Sequence, residues 1–538
     1  MENNTELSLD EIAREVEKMV QTEQTQYEGS NTVIPITPAT NDTLTALRAN
    51  EDGDAWLFIN LQKDRFCFDH SLDLWFKWNG HFWEEDTIDH VYSALDSVVD
   101  KYSVEYDRQS WKRKSAALSQ NPADIKKAAD LEKEVLKRIF DLQGVHRKKD
   151  ILFLSARGEN SLGISGDEWD KNPFLLGCKN GVVDLKTGEF SVGRPEDYIR
   201  TAAPTEWKCI DEPAPMWDSF LNDIFSGNSD LIAYIQRLFG YAITGSTKDH
   251  IIAIFWGHHG RNGKGTLLET LLFVLGALIG PIQAEMLTSD QRNRSSAGPS
   301  PDIMSLRGRR LVWASETEEG SQFAVGKIKW LTGSDTLTGR PPYGKKDITF
   351  SPTHKIVLIT NHRPQLSSMD RALWERLHLI PFDLSFVDNP QEEFQRKRDP
   401  DLPEKLKGEA SGILAWLVRG CLQWQKGGLQ PPAIVLETTA QYQADEDLIG
   451  QFLKDCTQAD PNQQVRALAL YNAYKSWCES CGHRYLSIKK FGGQMGDQMG
   501  DRYKKGSDAN GNFYKGLCLK VYIREVTFTD ETGGADYV

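Results

Sequence analysis

The chemistry in this sequence starts at Lys264, within GHHGRNGKGTLLETL, residues 257–271. An apolar run, IIAIF, leads into this stretch, and TLLETLLFVLG runs on from it. That order predicts a strand, a tight glycine turn and a helix. Such a turn suits an anionic phosphate: its amides and the helix N-terminus face the ligand, and the lysine reaches the outer phosphates. Gly260, Asn262, Gly263, Lys264, Gly265 and Thr266 are therefore the expected nucleotide-binding residues. The spelling departs from the usual one twice. His258 holds the usual first-glycine position, with Gly257 one residue further out. Gly265 stands where Ser or Thr normally ligates Mg2+, so Thr266 is expected to supply that hydroxyl. The plainer alternative is a Gly/His-rich turn; the apolar strand before it and the apolar helix after it favour the nucleotide.

Three later stretches offer groups that such a site needs. RGRRLVWASETEEG, residues 307–320, reads as an apolar strand ending in carboxylates. A carboxylate at a strand end beside a phosphate loop positions Mg2+ and the attacking water. Glu316 is the first choice for both roles, with Glu318 and Glu319 as alternates or as solvated turn surface. HKIVLITNHRP, residues 354–364, is a further apolar strand, ending in Asn361, which can align the water against the γ-phosphate. MDRALWERLHLIPFDL, residues 369–384, carries Arg371 and Arg376. A cation supplied across a subunit boundary would stabilise the transferring phosphoryl group; ordinary surface salt bridges are the competing use.

Alternating strand-like and helical runs over 250–385 predict an α/β domain to position these groups. Residues 1–50 are polar and read as a flexible arm. Short aromatic strands around Asn79–Gly80, helical patterns over 84–145 and further strands over 172–200 predict an α+β domain over 51–205. A helical lead-in follows at 206–249. Beyond the α/β domain, 386–407 reads as charged helix and linker, and 408–426 and 434–457 as helices, giving a helical extension over 386–457. The end of the chain reads helix, helix, strand, strand, a domain over 458–538.

Together these stretches closely resemble the superfamily 3 helicases, nearest to the phage and plasmid group related to the satellite-phage P4 and poxvirus D5 primase-helicases. The segments that carry the likeness are GRNGKGT, RLVWASETEEG, IKWLTGSDTLTGRPPYGKKDITFSPTHKIVLITNHRP and DRALWERLHLIPF, with a weaker echo in DKNPFLLGCKNGVVDLKTGEF. The resemblance implies a P-loop, AAA+-like α/β core with an α+β N-terminal domain and a C-terminal winged-helix-like domain. It also implies an ATP- and Mg2+-dependent DNA helicase. By it Lys264 is the P-loop lysine, Glu316 the Walker B acid, Asn361 the sensor asparagine and Arg376 the arginine finger. The family's usual second arginine is Glu375 here, which leaves Arg371 as runner-up. A pore hairpin gripping single-stranded DNA is expected at RPPYGKKDITF, with Lys345 and Lys346 at its tip and Arg340 at its base. The implied partners are single-stranded and forked DNA, further copies of the chain in a ring, commonly six, and a separate primase or polymerase, since 51–205 matches the helicase-adjacent domain rather than a primase. The family suggests 3′ to 5′ travel.

Two other functions remain open: a ring ATPase that loads, packages or remodels DNA without unwinding it, and a nucleotide-gated origin-binding protein.

Bulk properties fit this reading. The chain has 538 residues, 39% hydrophobic and 26% charged, with no run long and apolar enough to span a membrane and no signal-peptide pattern. A cytoplasmic setting, in a bacterium or phage-infected host cell, is expected. The formal charge of −14 excludes a protein coated in basic surface, so DNA contact must come from local clusters such as KRKS, HRKK, RGRR, GKK and RYKK. The pair in WCESCGH, Cys478 and Cys481 with His483, lacks a fourth ligand at diagnostic spacing and reads as thiols rather than zinc. Trp75, Trp78 and Trp83 suit a small core better than base stacking.

Overall fold

The computed structural model describes residues 42–119, 121–289, 299–315, 322–342, 344, 346–366, 370–498 and 503–520. Most of the expected arm, the acids Glu316, Glu318 and Glu319, and Lys345 lie outside the described residues. Among those that are described, no helix is long and apolar enough to cross a membrane.

The chain divides into two compact units, and the division runs through the stretch read as one α+β domain. The first unit, residues 42–63 and 87–163, is helical. Its helix Pro122–Leu142 starts at Asn121, whose side chain accepts from the Ala123 amide, and Pro122 occupies the first turn, where no donor is lost. Ala128, Val135 and Leu142 recur every seven residues and are buried, so one stripe faces the core. Asp54 is fully buried there between two cations: Arg138 at 2.8 Å and Arg147, whose Nε lies 2.8 Å away. The Tyr102 hydroxyl donates to the same carboxylate at 2.6 Å.

The second unit, 64–86 and 164 onward, contains the aromatic strands and everything from residue 164 on. Trp83 is buried there, in T-shaped contact with Trp78, as a small core requires. The centre of the unit is a five-stranded sheet: β1 (Ile252–Trp256), β2 (Ile279–Pro281), β3 (Leu311–Ser315), β4 (Lys355–Thr360) and β5 (Leu377–Pro381). The spatial order is β2-β3-β4-β1-β5, and every neighbouring pair is parallel. A parallel sheet must be covered on both faces, so its strands are apolar throughout. Side chains alternate between two cores: Ile252 and Ile254 join one with Val312, Ala314, Ile356 and Leu358, while Ala253 and Phe255 join the other with Leu311, Trp313 and Val357. Helix α1 (Lys264–Leu275) follows β1. This is a P-loop, AAA+-like core.

Two expectations are corrected here. Residues 386–407 are not helix and linker alone. Strands Ser385–Val387 and Gln395–Lys397 pair in parallel before helix Leu402–Gly408 begins. Charged residues mask these strands, and what organises them is remote: the Phe386 amide donates to the Arg261 carbonyl at 2.8 Å. RGRR is not a basic patch for DNA. Arg310 is 4% exposed and donates to the Ile243 carbonyl at 2.6 Å, while Arg307 donates to the Gly166 carbonyl at 2.9 Å. These cations satisfy backbone oxygens in the interior.

The last segment runs strand Thr457–Arg466, helices Ala467–Ser480 and Ile488–Gln498, then strands Lys504–Asp508 and Gly511–Leu519. The first strand was not foreseen; it pairs antiparallel with the last. Phe452, Tyr474, Phe491 and Tyr514 form the core, with Cys478 buried among them and Cys481 exposed.

Candidate active site

The carboxyl ends of β1, β3 and β4 lie side by side, the position where open α/β sheets hold ligands. The loop from β1 to α1 is tightly built. A Cβ on Gly257 would meet the Asn262 amide nitrogen at 2.4 Å and the Phe382 carbonyl at 2.5 Å, so the displaced first glycine is sterically required. Asn262 is buried, and its amide donates to the His259 carbonyl at 2.8 Å, closing the loop on itself. Gly263 has φ +85°, a conformation that strains other residues, and places α1 with its N-terminal amides uncapped by any side chain.

The loop is also gripped from outside by the segment after β5. The Ser385 hydroxyl donates to the Gly260 carbonyl at 2.8 Å, and the His259 ring stacks on Phe394 at 4.0 Å. His259 thus has a packing role, and His258 lies edge-on to Trp256.

Lys264 points across the sheet end. Its ammonium donates to the Thr360 carbonyl and to Asn361 Oδ1, both at 2.9 Å. Burial disfavours its charge and pushes its pKa down to about 8. The two residues read separately from the sequence, 97 positions apart, are therefore in direct contact.

A cavity of about 760 Å3 opens over these groups. Gly260, Asn262, Gly263, Lys264, Gly265 and Thr266 line one side, with Ser315, the last described residue of β3, and Asn361 opposite. Glu316 is the next residue in the chain. Glu269, from the second turn of α1, lines the same side. Apolar lining comes from Met216, Phe220, Phe386, Leu402 and Pro403, of which Phe220 lies beside Gly263 and Phe386 is bonded to Arg261, and Lys397, Arg398 and Asp399 add charge. Sequence reasoning missed these residues and Glu269. Glu269 had a signal, four residues after Gly265 on one helix face; the others are gathered only by the tertiary fold.

The two arginines differ. Arg376 is half-buried and donates to the Lys329 carbonyl at 3.0 Å and the Thr332 hydroxyl at 2.9 Å. The Arg371 side chain is 91% exposed and pairs with Glu375 at 2.8 Å. Neither lines the cavity of its own chain. Strands Leu337–Gly339 and Ile348–Phe350 form an antiparallel hairpin at the expected place. Arg340 pairs with Asp347 at its base, at 2.8 Å, and Lys346 is exposed.

Family comparisons agree along most of the chain. Residues 55–226 match a D5 N-terminal-like family, 255–376 a family of unknown function, and 444–528 a poxvirus D5 protein-like family. Two of these three families are D5-like, and each match covers less than half of the chain. A putative helicase of Acanthamoeba polyphaga mimivirus is 27% identical over 434 residues, 77% of this chain and 44% of the relative. A putative helicase of Frog virus 3 is 24% identical over 404 residues, 61% of this chain and 41% of the relative. A putative primase of African swine fever virus is 22% identical over 353 residues, 62% and 35% respectively. This D5-like chain therefore spans less than half the length of these curated relatives. Among solved structures, the apo C-terminal region of NrS-1 overlaps 86% of this chain and 98% of its own, at 11% identity and a TM-score of 0.43, too loosely to carry an argument.

Proposed function

We propose that this chain is the ATPase and DNA-translocating part of a superfamily 3 helicase, with hydrolysis in the cavity at the carboxyl ends of β1, β3 and β4. The observation that supports it most is the contact of Lys264 with Asn361 and the Thr360 carbonyl. On arrival of nucleotide, the ammonium exchanges these two neutral acceptors for β/γ-phosphate oxygens. Asn361 is then released to orient the attacking water, and Glu316, or Glu318 in its place, polarises that water. The carboxylate of Glu316 is an oxygen donor, as Mg2+ requires, and Thr266 offers the nearest hydroxyl in the sequence. Mg2+ would neutralise charge on the phosphates. The apolar lining, with Phe220 and Phe386, suits the flat face of a base.

In this reading the chains form a ring, commonly of six, with a neighbour's arginine completing each site. Exposure reverses the order read from the sequence. Arg371 comes first, because Arg376 would have to abandon two hydrogen bonds within its own chain. The Arg340, Lys345 and Lys346 hairpin tracks the backbone of single-stranded DNA, a contact expected to be salt-sensitive and nearly sequence-independent. Forked DNA and a primase or polymerase complete the partners. The division into an α+β N-terminal domain, a core over 250–385 and a winged-helix-like domain over 458–538 belongs to the same proposal, as does 3′ to 5′ travel.

The test is Lys264→Ala assayed for DNA-stimulated ATP hydrolysis and for unwinding of a forked duplex. Loss of both is expected; unchanged hydrolysis would remove the site assignment. Wild-type hydrolysis without unwinding would favour a loading or remodelling ATPase instead. Reversing Lys345 and Lys346 to Glu should abolish single-strand binding.

A further inference from the structure

Gly265 leaves a gap where the metal-binding hydroxyl of a phosphate loop normally stands. It is the second residue of α1, and a Cβ built there would meet nothing within 4 Å. Thr266 cannot simply fill that place, since each helical residue turns the side chain by about 100°. Glu269 can, because residues four apart lie on one face, with Cβ atoms about 5–6 Å apart. Helical side chains also lean toward the N-terminus, so Glu269 leans over the bare backbone of Gly265. Glu269, Gly265 and Ser315 all line the cavity that contains Lys264.

The cavity thus takes oxygen donors from two elements: the carboxylate of Glu269 on α1 and the hydroxyl of Ser315 at the end of β3. A small hard cation that keeps several of its waters fits that set. Resting on the ATP-site reading above, we propose that Glu269, assisted by Ser315, is the metal-positioning group of this site, taking the place of the missing hydroxyl at Gly265, directly or through a metal-bound water.

The experiment is binding of a fluorescent ADP analogue to the full chain, with EDTA and then across a Mg2+ titration, backed by Mn2+ electron paramagnetic resonance with nucleotide present. Glu269→Gln should cut the tightening that Mg2+ gives to nucleotide binding by about tenfold or more, the usual scale for removing a metal-orienting group. The affinity in EDTA should hold or improve, because a negative charge beside the phosphates has gone. Glu269→Gln combined with Gly265→Ser, which puts a hydroxyl into the open space, should restore the Mg2+ effect. Unchanged Mg2+ linkage in Glu269→Gln, loss of affinity in EDTA as well, or no rescue by Gly265→Ser would each overturn the assignment. Loss of the linkage in Thr266→Ala but not in Glu269→Gln would hand the role to Thr266. Absence of nucleotide binding with and without metal would instead refute the ATP site itself, and this inference with it.

Discussion

Nucleotide binding should take up a proton at Lys264, and its affinity should fall steeply with pH. Burial pushes this lysine down to about 8 in the nucleotide-free chain. Its two acceptors, Asn361 Oδ1 and the Thr360 carbonyl, are neutral. Phosphate oxygens are anionic and favour the ammonium, so the bound-state pKa rises again. The sign follows: below about pH 8 the empty site is already charged and nothing is lost, whereas above it each binding event must first protonate the amine. From pH 7.5 to 9.5 the protonated fraction of the empty site falls roughly twentyfold, so Kd should weaken by about the same factor, ~1.8 kcal/mol. The range stays above the second ionisation of the nucleotide phosphate. Fluorescence titration of an ADP analogue in EDTA measures the effect without metal. Lys264→Arg, which stays charged throughout, should bind more weakly but with a flat profile. A flat wild-type profile, or the same slope in Lys264→Arg, would refute the argument.

The arginines separate by readout. Arg371→Ala should leave thermal stability and nucleotide affinity intact but cut DNA-stimulated ATP hydrolysis about a thousandfold, the low end for a trans arginine. Arg376→Ala should lower the melting temperature, since the Thr332 hydroxyl and Lys329 carbonyl lose a charged donor, at a cost of about 1–3 kcal/mol. In the helical unit, Asp54→Ala should destabilise by about 3–5 kcal/mol in denaturant unfolding, because it strands Arg138 and Arg147 beside a buried gap.

What the sequence disclosed depends on how each residue reaches its place. Asn361 directly follows β4, Lys264 and Thr266 open the helix after the β1 loop, and a parallel sheet brings the ends of its strands together, so local spelling was enough to place them around one cavity. The hairpin at 337–350 is local too, and it overlaps the stretch where the family resemblance implied one. Phe386 and Phe394 were hidden because the information that orders them is not local. Phe386 sits in a short strand held by bonds of Ser385 and Phe386 to Gly260 and Arg261, and Phe394 in a turn stacked on His259, all more than a hundred residues from their partners. The cluster RGRR misled for the opposite reason. Its composition says surface, but the start of β3 is an interior site where buried carbonyls of other segments need donors, and a guanidinium can satisfy several at once.

The same reasoning explains the altered loop. A consensus describes which side chains usually meet a phosphate, while the requirement is for donors at certain points in space. Here the glycine stands one residue earlier, at Gly257, where a Cβ would meet Asn262 and the Phe382 carbonyl, and Asn262 closes the loop with its bond to the His259 carbonyl. The missing hydroxyl at Gly265 poses the same problem one helical turn from a carboxylate. With its first glycine displaced, the loop still sets Lys264 against Asn361. By that logic Glu269, and not the nearest hydroxyl in the sequence, is the residue whose removal should uncouple metal from nucleotide.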